Sequence, residues 1–356
     1  MDLHCDFLRL VHQIWANYST VIFVSPHPLQ TSPNASNDAA RIEKFLLQAV
    51  QVEEDDYLTE IASHLISAGG KRQRPQFSIL AAAAGLPEGT AVADDVVRGG
   101  VSVELVQVGS LYHDDVMDEA QIRRQVPSVN ARWGNLRAIL AGDFLLARAS
   151  EIAASLGTEV AGLLATSIAE LCKGQIAELQ TLYNVDRSEA EYYPSIEGKT
   201  ATLFATASRI GGIVGEFDSD VINRLTSFGH NYGMAFQIVD DVLDVIATDE
   251  QLGKPAGNDM IEGVYSLPVI YTLESDDGDA LRSLLGDGLA ETDRSTAIEI
   301  VRNGSGVKRA LDKAITFADT AKADILQVSD NTAARLLADT AQYLVDSVHI
   351  STNDGG

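Results

Sequence analysis

The feature that most restricts what this chain can become is a set of acids placed in apolar surroundings. Asp114-Asp115-Val116-Met117-Asp118 and Asp240-Asp241-Val242-Leu243-Asp244 repeat one DDxxD pattern 126 residues apart. The stretches leading into them, 103–111 and 232–239, are largely apolar and free of proline, so each motif reads as part of a helix near a core. On a helix, Asp114 and Asp118 lie four apart on one face, and Asp115 and Asp118 lie three apart. Carboxylates gathered so closely repel one another unless they share a cation. A single DDxxD would read as a solvated acidic helix end, but two matched copies beside apolar runs argue against that. Hard oxygen donors with no accompanying histidine or thiolate pair favour Mg²⁺ over zinc or copper. Because Mg²⁺ keeps water and takes up substrate phosphates, two such helices facing each other imply a bridged diphosphate.

The remaining pattern is helical. Apolar residues recur at three- and four-residue spacing through Ile42, Phe45, Leu46 and Val50, through Leu58, Ile61 and Leu65, and through Leu163, Leu164, Ile168, Leu171, Ile176 and Leu179. Breaks fall at Gly69-Gly70, 86–90, Pro127, Gly157, Asp186, 253–257, 275–278 and 303–306. No strand-like alternation of useful length occurs. The expectation is an all-α domain of ten or more helices over residues 38–356, with 275–293 as an acidic surface connection. Residues 1–37 lack a basic secretory n-region and become rich in Ser, Pro and Asn over 25–37, so a loosely ordered N-terminal extension is expected there.

Composition excludes several classes of function. Hydrophobic residues make up 46% of the chain, enough for a substantial core. With 51 acidic and 26 basic residues the formal net charge is −25, which makes nucleic acid a poor partner. The longest unbroken apolar stretch, counting glycine, is 79–86, well short of the ~20 residues that span a bilayer. Cys5 and Cys172 supply neither a disulfide framework nor a metal quartet, and a soluble cytoplasmic protein is expected.

In so acidic a chain, clusters of lysine and arginine are informative. Gly69-Gly70-Lys71-Arg72-Gln73-Arg74-Pro75 puts three positive charges at a glycine-rich turn before a helix, where backbone and side chains can approach an anion. Arg123-Arg124 follows the first acid motif by five residues, Lys199 lies in Glu197-Gly198-Lys199-Thr200, where the glycine is expected to kink a helix, and Lys254 follows the second motif. Beside metal-type motifs these groups read as two diphosphate pockets. Gly198-Lys199-Thr200 is no P-loop, because Tyr193 stands where the earlier glycine is needed and no strand precedes it. No HExxH motif is present, and His113 has no nucleophile to serve.

The segments GGKRQRP (69–75), LYHDDVMDEAQIRR (111–124), GNLRAILAGDFLLARA (134–149), GKT (198–200) and FQIVDDVLDVIATDEQLGKPAGND (236–259) resemble the trans-isoprenyl diphosphate synthases of the polyprenyl synthetase family, over about residues 40–350. The resemblance implies an all-α, isoprenoid-synthase-type helical bundle around a deep central cavity, usually as a homodimer. It implies that Lys71, Arg74 and Arg124 bind the diphosphate of isopentenyl diphosphate, with Gln107 in the same site. It implies that Asp114, Asp118 and Asp240 are the principal Mg²⁺ ligands, that Asp115, Asp241 and Asp244 complete or orient the shell, and that Arg123, Lys199 and Lys254 hold the allylic prenyl diphosphate. Thr200 and Gln237 would line the path of the allylic cation. Catalysis would then proceed by ionisation of the allylic C–O bond, attack by the isopentenyl double bond and loss of a proton, in a dry cavity. Two positions depart from the family pattern. Gln107 stands where a histidine is common, and Val264 follows Glu262-Gly263 where a basic residue is common.

Product length in the family is limited by side chains about one and two turns before the first motif. Gly109 and Ser110 are small, whereas an aromatic residue there would stop growth near farnesyl length, so a geranylgeranyl or longer product is expected, with transient membrane contact on its release. Gly109 also admits a second role, that of letting two helices pack closely. A farnesyl-length synthase, a terpene cyclase, a non-catalytic subunit of a heteromeric synthase and a metal-binding scaffold are the alternatives. A cyclase has no use for GGKRQRP and typically carries an Asn/Ser/Glu triad in place of the second DDxxD. A non-catalytic subunit should have eroded acid motifs.

Overall fold

The computed structural model describes residues 27–248, 256–285 and 288–353. These residues form an all-α bundle built around two long helices, α4 (Asp94–Met117) and α10 (Ser219–Ile246). Each carries one DDxxD motif at its C-terminal end. Both run through the interior: α4 is buried on almost every side, which fits a sequence that is apolar all round rather than striped.

Around them pack α1 (Ala35–Val50), α2 (Asp56–Ser67), α3 (Gln73–Gly85), α6 (Asn135–Ser155), α7 (Thr158–Leu179), α8 (Glu189–Ile196) and α9 (Thr202–Val214). The short helix α5 (Val129–Trp133) links α4 to α6. The C-terminal part adds α11 (Asn258–Ile261), α12 (Leu267–Leu273), α13 (Gly278–Leu285), α14 (Arg294–Asn303), α15 (Gly306–Leu326) and α16 (Thr332–Asn353). Several helix starts are capped by their own side chains. Asp55 Oδ1 accepts from Leu58 N at 2.9 Å, Asp218 Oδ1 accepts from Val221 N at 3.0 Å, and Ser188 with Glu191 forms a reciprocal capping box.

Among the described residues the only strands are β1 (Ile122–Arg123) and β2 (Val126–Pro127), an antiparallel hairpin with Arg123 opposite Val126. Alternation over two residues is too short to leave a periodic signal. One main core runs from Leu29 to Val348, and a second, smaller core gathers Val245, Met260, Tyr265, Val269, Leu281 and Val301 beneath the C-terminal helices. In the main core Phe77 of α3, Phe204 of α9 and Phe228 and Tyr232 of α10 form an aromatic cluster with ring centroids as close as 4.5 Å. This cluster fixes α3, which bears the basic motif, against α10, which bears the second acid motif.

Most of the extension expected over 1–37 lies outside the described residues. Its last part packs on the bundle: Pro28–Thr31 forms a 3₁₀ turn, His27 Nδ1 accepts from Leu29 N, Leu29 is buried in the main core, and α1 starts at Ala35. The polar composition of 25–37 conceals the one leucine that gains by leaving water. No helix of the described residues is long and apolar enough to cross a membrane.

Candidate active site

The end of α4 separates the three acids of the first motif. Asp115 is fully buried, and its Oδ1 accepts from both Nε and Nη2 of Arg123 at 2.7 Å. The hairpin makes this possible by folding back over the helix end, where Asn130 Nδ2 donates to the Asp115 carbonyl at 2.9 Å and to that of Ala120 at 3.0 Å. Its two loop residues, Arg124 (φ 52°) and Gln125 (φ 63°), both adopt the left-handed conformation of a tight hairpin turn without a glycine. Asp114 and Asp118 face the other way. Burial, opposed by Lys199 and reinforced by Asp118, pushes the Asp114 carboxyl up to about 6, and burial likewise raises Asp118 against the pull of Lys199.

Lys199 reaches this place through a distortion of the helix. Residues Glu197–Ala201 form a π-helical turn between α8 and α9, at the place where the sequence predicts a kink. The turn presses on α7: a Cβ added to Gly198 would lie 2.5 Å from the Glu170 carbonyl oxygen and 2.7 Å from Gly174 Cα. Only glycine on both sides lets the two backbones come this close. Lys199 Nζ donates to Glu178 Oε1 at 2.6 Å. Glu178 raises both Asp118 and Asp241, while Lys199 lowers Asp114 and Asp118, so the charges of this ion pair reach both acid motifs.

On the second motif, Asp240 is exposed and Asp241 and Asp244 are buried. Thr200 Oγ1 donates to Gln237 Oε1 at 2.7 Å, Gln237 Nε2 donates to Asp241 Oδ1 at 3.0 Å, and Tyr192 OH donates to Asp241 Oδ2 at 2.5 Å. Both oxygens of Asp241 are therefore held by the protein. Burial pushes this carboxyl up to about 7 despite those two bonds. Among the described residues no three His, Cys, Asp or Glu side chains stand close enough to hold a metal ion alone. A cation taken up by one of these motifs would have to fill most of its shell with water and ligand oxygens, as Mg²⁺ can.

The basic motif forms a second centre beside the first. Gly70, at φ 149°, threads between two guanidiniums: a Cβ there would lie 3.0 Å from Nη1 of both Arg72 and Arg124. Arg72 is buried, caps the start of α3 at φ 47°, and pairs with Glu43 at 2.7 Å and Glu104 at 3.4 Å. Arg124 Nη1 donates to the carbonyls of Leu65, at 2.8 Å, and Gly69. Arg74 lies over the Phe204 ring at 4.8 Å with a buried Nε that has no hydrogen-bond partner, and burial lowers its pKa to about 10. Lys71 is exposed at the rim, and Gln107 is half-buried on α4. An unpaired donor on a buried cation is the polarity an incoming anion would complete.

Gly109 lies in the α4–α6 contact, where an added Cβ would meet the Gly142 carbonyl oxygen at 3.1 Å and Leu145 Cβ at 3.4 Å. Buried Ser110 donates to the Gln107 carbonyl at 2.9 Å. In the Glu262-Gly263-Val264 segment, the Gly263 carbonyl accepts from Tyr183 N at 2.8 Å. Lys254 lies outside the described residues. Three residues of the site are not apparent from the sequence: Glu104, Glu178 and Tyr192. None belongs to a motif, and each meets its partner only across 20 or more residues of chain.

The sequence model of the family described as polyprenyl synthetase matches residues 55–301, more than half of the chain. The nonaprenyl diphosphate synthase of Mycobacterium tuberculosis is 39% identical over 311 residues, covering 86% of this chain and 91% of that protein. A decaprenyl diphosphate synthase structure from Rhodobacter capsulatus superposes with a TM-score of 0.81 at 30% identity, covering 90% of this chain and 99% of that one. The geranylgeranyl pyrophosphate synthase of Corynebacterium glutamicum, solved with calcium and isoprenyl diphosphate, gives a TM-score of 0.77 at 34% identity over 92% and 99% of the two chains. The chain belongs to the polyprenyl synthetase family and is a prenyl-transferring enzyme.

Proposed function

We propose that the protein condenses isopentenyl diphosphate with an allylic prenyl diphosphate, head to tail and in trans geometry, to give a geranylgeranyl or longer polyprenyl diphosphate. The observation that carries this reading is the adjacency of two centres of opposite character. The Lys199–Glu178 pair acts on Asp114 and Asp118 of the first motif and on Asp241, the neighbour of Asp240, in the second, and the arginine cluster of Arg74 and Arg124 lies beside the first motif with a buried donor of Arg74 unfilled. One centre suits a metal-bound diphosphate that must leave, the other a diphosphate that must stay.

Mg²⁺ held by Asp114, Asp118 and Asp240 supplies, when bound, the positive charge that neutralises the departing diphosphate. Lys199 adds a cation on the same side, and Arg123, fixed by Asp115, lends a further positive charge. Lys254 is proposed for the same ligand. Asp241 is held too firmly by Tyr192 and Gln237 to be a free ligand, and its role is to orient Gln237 and Thr200 along the path of the allylic cation. Asp115 likewise orients Arg123, and Asp244 supports the second motif from its buried position. Lys71, Arg74, Arg124 and Gln107 are proposed to hold isopentenyl diphosphate. The carboxylates need not act as bases, because the diphosphate released beside them can take the proton.

The longer-chain products named for similar proteins agree with small side chains at Gly109 and Ser110. A cytoplasmic homodimer is proposed, with α6 as the seam and transient membrane contact when product leaves. The test is incubation of the purified protein with Mg²⁺, isopentenyl diphosphate and farnesyl diphosphate, followed by mass spectrometry. Geranylgeranyl-length or longer chains are expected, and none should form when EDTA is present. Elongation of dimethylallyl diphosphate that stops at farnesyl length would overturn the product assignment, and no elongation of any primer would overturn the reaction.

A further inference from the structure

We propose that Glu104 is a positioning residue for isopentenyl diphosphate: its buried carboxylate keeps three like-charged guanidiniums assembled as an anion site before the ligand arrives. The inference rests on the reading of the arginine cluster as the site of that diphosphate.

Glu104 lies on α4 ten residues before Asp114, about 15 Å along the helix, so it touches neither the metal-type acids nor the reacting carbons. It is 3% exposed. Its Oε1 stands 3.4 Å from Arg72 Nη1 and 4.0 Å from Arg124 Nη2, and its charge also acts on Arg74, which Arg124 opposes. Two guanidiniums therefore meet at one carboxylate oxygen, with Arg74 within reach of its charge, in a site largely closed to water, and their mutual repulsion is strong where the dielectric is low. Glu43 offsets part of it, but from the far side of Arg72 alone.

The fold does not depend on Glu104 for these placements. Arg72 is tied to Glu43 at 2.7 Å and to the Ile66 carbonyl at 2.6 Å, and Arg124 to the carbonyls of Leu65 and Gly69. Those bonds anchor the α2–α3 loop and the hairpin, and they persist if Glu104 is neutralised. What the carboxylate adds is spacing: it draws Arg72 and Arg124 inward around Gly70 and leaves Arg74 Nε as the unfilled donor. With Arg72, Arg74 and Arg124 against Glu104 and Glu43, the cluster keeps one surplus positive charge. A diphosphate brings several negative charges to complete it. Without Glu104, Arg72 and Arg124 keep those anchors, but Arg74, whose Nε has no hydrogen-bond partner, is repelled by them with nothing to offset it, and the ligand has to draw it back at its own cost on binding.

The test is steady-state kinetics of the full-length protein with Mg²⁺, farnesyl diphosphate and isopentenyl diphosphate, comparing wild type with Glu104→Gln and Glu104→Asp. For Glu104→Gln, KM for isopentenyl diphosphate should rise about tenfold or more, while kcat and KM for farnesyl diphosphate stay within about threefold. Glu104→Asp, with its charge kept but withdrawn by one methylene, should fall between. A fall in kcat with no split between the two KM values, or failure of both variants to fold, makes Glu104 a structural residue and overturns the proposal. Lys71→Ala and Arg74→Lys separate this from the underlying assignment. If they raise KM for isopentenyl diphosphate and Glu104→Gln does not, the positioning role fails alone. If none of the four variants moves that KM, the cluster is not the isopentenyl diphosphate site.

Discussion

At the scale of single residues, the acids of a repeated motif have parted into different roles. Asp114 and Asp118 look outward from α4, while Asp115 and Asp241 are turned into the protein and held there by Arg123 and by Tyr192 with Gln237. For Asp241 this has a measurable consequence. Its folded-state pKa of about 7 lies above the ordinary carboxylate value of 3.8, so the native protein keeps a proton that the unfolded chain releases as pH rises through that interval. The unfolded state then binds fewer protons, and stability falls with rising pH across the same window. In Asp241→Asn the titration is gone, and Tyr192 can turn its hydroxyl to accept. The variant should therefore gain on the metal-free wild type between pH 5 and pH 8, by about 3 °C or more in thermal melts. An unchanged difference between the two pH values would mean that Asp241 is ionised throughout. The motifs themselves were legible because six aspartates set in apolar runs repel one another at close range unless cations are shared among them. Which of the six face inward was not, since period alone cannot distinguish positions three and four apart from those a hairpin folds over.

At the scale of elements, the site depends on one irregular turn. Glycine in Gly198-Lys199-Thr200 predicts a kink, and at that place the chain widens into a π turn against α7. The signal for this lay 24 residues earlier, in Gly174, and only the pairing of the two glycines across the contact reveals it. Gly198→Ala would set a Cβ against backbone atoms at 2.5–2.7 Å, where no rotamer offers relief. It should destabilise the protein by about 1–3 kcal/mol and displace Lys199 and Thr200, with kcat falling about tenfold or more. Gly162, elsewhere on α7, has nothing within 4 Å of an added Cβ. Gly162→Ala should be neutral or stabilise by about 0.5–1 kcal/mol with activity intact. Chemical denaturation with kinetics on the two variants checks both, and equal effects would refute the claim that contact, not helix propensity, sets the difference.

At the scale of the whole molecule, helical period and two acid motifs were enough to anticipate an all-α bundle, because almost every apolar stripe ends against a core. Two stripes are exceptions that period cannot identify: the end of α7, where Ile176 and Leu179 are exposed, and, more extensively, α6. Leu136, Ile139 and Leu140, at the three- and four-residue spacing of a buried face, are 78%, 40% and 67% exposed. A chain of net charge −25 has little reason to leave such a stripe in water unless a second copy covers it. The two properties together predict an unusual salt response. Subunits this acidic repel each other at long range, and salt screens that repulsion while leaving apolar contact intact. Association should therefore tighten as salt rises from about 20 to 300 mM, the reverse of a seam held by ion pairs. Leu140→Glu adds a charge to the middle of the stripe and should weaken association about tenfold or more at any salt. Sedimentation of wild type and variant across that range tests the argument. A wild type that remains at 38.1 kDa throughout would refute the homodimer, and one whose dimer loosens as salt is added would move the seam away from α6.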